Sequence, residues 1–75
     1  MLKLNDPKMT LDVDAIKLLL KDNHERAAQI TKAIIEGMKE QKKRHDLIIF
    51  CHLILSYAEN TLSPQKLKEF EDHLS

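Results

Sequence analysis

The chain is poor in the residues that staple or punctuate most small folds: one cysteine, one glycine, two prolines, two phenylalanines and one tyrosine in 75 residues. A single cysteine excludes an internal disulfide. A chain of this length buries only about 60–65% of its unfolded surface. Its stability must therefore come from tight helix packing or from oligomerisation. So few glycines and prolines, with no two-residue apolar alternation, exclude a sheet built on tight turns.

Charge of one sign is also missing. Twelve basic and twelve acidic side chains cancel, so no global field draws the chain onto nucleic acid or an anionic membrane. The main apolar run, residues 47–58, falls short of the roughly 20 residues a membrane span requires. No stretch of signal-peptide length opens the sequence, and a cytoplasmic location is expected. Neither a glycine-rich phosphate loop nor an acidic calcium loop is present. The expectation is a protein with no cofactor and no enzymatic activity.

What remains is helical spacing. The sequence predicts an all-α bundle of four short helices, at about 11–22, 24–43, 46–59 and 64–74, with the third helix central. Residues 1–9 read as a lead-in with a turn at Asp6-Pro7, and 10–75 as a single domain. Thr10 is the expected N-cap of the first helix, with Asp12 and Asp14 near its positive end. Val13, Ile16, Leu19 and Leu20 share its inner face. Asn23 is placed to cap the second helix. There Ala27, Ile30, Ile34 and Met38 form the inner stripe, widened by Ala33 and Ile35. Gly37 sits beside that stripe, where a missing side chain suggests close approach of a neighbouring helix.

A break is expected near 43–46, because one continuous rod would carry apolar stripes on opposite sides. Asp46 is then the N-cap of the third helix. Glu40 precedes Arg44 by the spacing of an exposed helical ion pair. The fourth helix has the clearest start: Ser63 as N-cap, Pro64 at the first helical position, and Leu62 poised to staple onto Leu67. Leu67, Phe70 and Leu74 face inward.

Chemistry-bearing groups are sparse. His52, Ser56 and Glu59 follow one another along one edge of the third helix, continuing from His45. Nothing supplies an oxyanion hole or a substrate cavity beside them, and they read as a water-facing seam. Between apolar neighbours, His52 also offers a way for stability to respond to mild acid. His24, His45, His52 and His73 are scattered rather than set at chelating spacing, so no metal site is expected. Cys51 reads as a small hydrophobe.

The remaining features are two surfaces. Phe50, Ile54, Leu47, Ala58 and Tyr57 centre the core-facing arc of the third helix. Ile49 and Leu53 lie on one flank of that arc, and Ile48 and Leu55 on the other. Helix four can cover one flank only, which leaves apolar surface for a partner. The leading expectation is a protein–protein interaction module: a regulator, adaptor, antitoxin, immunity protein or inhibitor. It would bind a larger protein, a second copy of itself, or both, with Ile48, Ile49, Leu53 and Leu55 as contacts. The alternative uses the basic corner of Lys39, Lys42, Lys43 and Arg44 to contact an anion or an acidic partner, as in a small DNA-associated regulator. Mixed charge and missing aromatics make that corner a poor nucleic-acid surface.

Overall fold

A computed structural model describes the backbone of residues 7–74 and the side chains of residues 12–74. Four helices follow one another: α1 (Pro7–Asp22), α2 (His24–Glu40), α3 (Arg44–Thr61) and α4 (Pro64–Leu74). The described residues contain no strand. α3 is central, and α2 shares that position: each touches all three other helices, whereas the described residues of α1 and α4 do not meet. α1 packs on α2 and α3, while α4 lies mainly along α2 and only lightly against α3.

Where each helix begins follows from local chemistry. α1 opens at Pro7, whose absent N–H costs nothing at a first helical position and whose fixed φ suits the helix. Thr10 is therefore inside the first turn and not its N-cap. Asp12 and Asp14 lie beyond that turn, which holds no acidic residue. Pro7 takes part in α1 rather than in a turn; Asp6 is outside the described residues. Asn23 caps α2 as expected, its Oδ1 accepting the Arg26 N–H at 3.1 Å. Ser63 does the same for α4 through a longer bond, the Lys66 N–H reaching its Oγ at 3.4 Å.

The α2–α3 junction is sharper than the sequence suggests. α2 ends at Glu40, and Lys42 takes a left-handed φ of 57°. The Lys43 N–H reaches back to the Met38 carbonyl at 3.0 Å, and the Lys42 N–H to that of Lys39 at 3.2 Å. This pair of bonds satisfies the last carbonyls of α2 and is the Schellman arrangement, which usually carries glycine at the left-handed position. Two expectations fall with it. Lys43, not Asp46, is the N-cap of α3, without a side-chain cap bond, and Asp46 sits in the first turn. Glu40 and Arg44 belong to different helices, so they form no within-helix pair. Because a left-handed conformation strains a residue with a Cβ, Lys42→Gly should stabilise the fold by about 0.5–1 kcal/mol. A thermal melt checks this, and an unchanged or lower midpoint would count against the strain.

The core is formed by Val13, Ile16 and Leu20 of α1, Ala27, Ala28 and Met38 of α2, Ile49, Phe50, Ile54 and Ala58 of α3, and Phe70 of α4. Ile30, Ile34, Ile35, Leu47 and Tyr57 are half-buried against it. On α2 the buried face is rotated from the expected stripe. Ala28 and Thr31 are fully buried, whereas Ala33 is exposed. Thr31 pays no desolvation penalty, since its Oγ donates to the Ala27 carbonyl at 2.7 Å. Surface contacts between helices include the Lys17 ammonium, 4.9 Å from the Tyr57 ring centre, and His24 Nε2, 3.1 Å from Glu69 Oε2.

Gly37 does not mark a close approach. A Cβ built there meets nothing within 4 Å. Gly37→Ala should accordingly raise stability by about 0.5–1 kcal/mol, by restricting the unfolded chain and favouring the helix. Urea titration would read this directly. A destabilised alanine variant would mean that the backbone needs the glycine for another reason.

Candidate interaction surface on helix three

α3 is the helix whose two flanks receive different treatment. On one side Ile49 is 5% exposed and part of the core, and Leu53 packs half-buried against it. These two expected contacts are therefore occupied within the chain. On the other side Ile48 is 58% exposed; among the described residues only Leu18 of α1 is another large hydrophobic side chain so open to solvent. Leu55 and Cys51 are half-buried beside it. The asymmetry has a clear cause. α4 brings Phe70 down mainly along α2 and meets α3 only lightly, so among the described residues Ile48 stays exposed, and α4 reaches this side only through Leu74 at the cleft that Leu55 lines.

This flank borders a cleft of about 290 Å³ between α2 and α3. Thr31, Ile35 and Lys39 of α2, Leu47, Cys51, Ile54 and Leu55 of α3, and Leu74 of α4 line it. A shallower apolar depression continues from it over Leu47, Ile48 and His52. The surface thus offers aliphatic groups and a thiol in its centre and cations at one end. Burial raises the Cys51 thiol above its ordinary range, with the nearby Lys39 charge opposing that shift. That shift disfavours the thiolate, the reactive form of a cysteine.

The basic corner is assembled by the α2–α3 turn. Lys39, Lys42 and Arg44 are exposed there together with His45, whereas Lys43 is half-buried. Lys39 stands in the last turn of α2, where a cation complements the helix dipole. Arg44 is the first residue of α3, where it opposes the dipole of its own helix.

His45, His52, Ser56 and Glu59 are all exposed along the outer edge of α3. The Ser56 carbonyl accepts the Asn60 side-chain amide at 3.1 Å. His52 is thus on the surface and not enclosed by its apolar neighbours. Among the described residues no group of three or more histidine, cysteine or acidic side chains could hold a metal ion, and no helix is long and apolar enough to cross a membrane. Comparison with protein-family models, with curated proteins and with solved structures gives no match for this chain.

Proposed function

We propose that the protein is a small, non-enzymatic helical interaction module that binds another protein through the open flank of α3. The exposure of Ile48 beside Leu55 and Cys51 carries this reading. An aliphatic side chain left in water next to an apolar cleft gains about 1.5–3 kcal/mol when a partner covers it fully. Contiguous apolar surface of this sort marks contact sites. Regulators, adaptors, antitoxins, immunity proteins and inhibitors all work by such stoichiometric contact.

The test compares immobilised wild type with Ile48→Asp for capture of proteins from a native lysate. Ile48 is exposed, so the aspartate variant should keep its helical circular dichroism. A protein retained by the wild type and lost by the variant supports the reading. Identical recovery by both overturns it.

A second reading rests on the clustering of Lys39, Lys42 and Arg44 at one solvent-facing corner. It makes the protein a DNA-associated regulator that contacts phosphates there. Retardation of duplex DNA at physiological salt, abolished by Lys42→Glu with Lys43→Glu, would favour it. The exposed face of α2 mixes Lys32 with Glu36, and this weakens attraction to a polyanion.

A further inference from the structure

We infer that the partner seated on the α3 flank is a second copy of this chain, lying antiparallel about a twofold axis between Cys51 and His52. The inference rests on the interaction reading above and supplies its occupant. At about 3.6 residues per turn, Arg44, His52, Leu55 and Glu59 all fall within about 40° of Ile48 on the helix wheel. They form one stripe along α3, with Cys51 at its edge. Arg44, Ile48, His52 and Glu59 are exposed, and Leu55 is half-buried.

The stripe is complementary to its own reversal. It carries a cation at its N-terminal end, apolar groups in the middle and a carboxylate at its C-terminal end. Laying a second α3 on it in the opposite direction sets Arg44 against the other copy's Glu59, Ile48 against its Leu55, and the 51–52 step against itself. Every contact is then made twice, as a twofold interface requires. A parallel arrangement would instead bring Arg44 to Arg44 and Glu59 to Glu59.

Both end charges also lack a reason inside one subunit. Among the described residues neither Arg44 nor Glu59 is in an ion pair. Arg44 begins α3 and Glu59 lies in its last turn, so each has the wrong sign for the dipole of its own helix. In the antiparallel pair the signs reverse: Arg44 meets the negative end of the neighbouring α3 and Glu59 its positive end. Helix packing with antiparallel dipoles adds to the same preference. The stripe is about 22 Å long. A stripe of this length makes a small interface, which belongs with the weak, reversible class.

Sedimentation equilibrium from micromolar to millimolar protein tests the pairing, with charge reversals as the decisive arm. Arg44→Glu and Glu59→Arg should each weaken the dimer about tenfold or more, because each creates two like-charge contacts. The double variant should dimerise more tightly than either single one. Rescue of this kind cannot arise within one subunit, where the two positions lie at opposite ends of α3. Exposed positions keep the fold intact, and circular dichroism of each variant verifies it. A wild type that is monomeric throughout, single reversals without effect, or a double variant no tighter than the singles would each overturn the self-pairing. A monomeric wild type whose capture of a different protein still depends on Ile48 overturns the self-pairing and leaves the broader interaction reading standing. Loss of both overturns both.

Discussion

Phe50→Ala is expected to remove about 3–5 kcal/mol of stability and to leave the domain largely unfolded. The ring is fully buried in the middle of α3, the helix that meets α1, α2 and α4. Truncation there deletes a large apolar surface and opens a cavity that three surrounding helices would have to collapse together to fill. They cannot do so independently, because each is also fixed by its own contacts elsewhere. A domain of this size has only about 4–11 kcal/mol in total, so the loss approaches the whole reserve. Thermal denaturation followed by circular dichroism reads the outcome. A nearly unchanged midpoint would show that the core is not organised around this ring.

The buried ring of Phe50 and the flanks of α3 illustrate what a sequence of this kind discloses. Position on a helix wheel separates core from surface where one arc dominates, and Phe50, Ile54 and Ala58 were readable on that ground. So were Val13, Ile16 and Leu20 on α1. Caps with a side-chain acceptor in the right place, Asn23 and Ser63, were readable because the bond is local. At α1 two start signals lie three residues apart, and Pro7 prevails over Thr10. The end of α2 was displaced because Lys42 adopts a backbone conformation that its chemistry does not advertise. Thr31 was hidden for a different reason: its hydroxyl satisfies itself on the preceding turn, so a polar residue behaves as core.

The candidate surface was half readable. Both flanks of α3 were evident, Ile49 with Leu53 on one side and Ile48 with Leu55 on the other. Which flank stays open depends on α4 choosing α2 as its main support, and that is a tertiary fact with no local signature. The end charges of α3 were visible as residues, but their meaning depended on the helix boundaries. Arg44 appeared paired with Glu40 until the chain turned between them. Once α3 begins at Arg44, the arginine falls in the first turn with Asp46, at the positive end of the helix dipole, and the asymmetry between the two ends of its outer stripe becomes apparent.

Phe70→Ala should be as costly as the change at Phe50, about 3–5 kcal/mol, but with a different spatial pattern. α4 has eleven residues, too few to be a stable helix alone in water. Phe70 is its one fully buried side chain, with Leu67 and Leu74 half-buried to either side. Its helical state is therefore maintained by docking, chiefly on α2. Since the described residues of α1 do not touch α4 and α3 touches it lightly, loss of the ring should release α4 before the α1–α3 contact fails. The His24–Glu69 contact would open with it, contributing at most about 1 kcal/mol at so exposed a site. Leu74 would also leave the lining of the cleft. Hydrogen exchange resolved by residue measures the sequence of events: α4 amides should lose protection first, followed by the face of α2 that they cover, with α1 and α3 slowest. Exchange that accelerates equally in all four helices would contradict this order and show that α4 is held as firmly by the whole bundle as by its single buried ring.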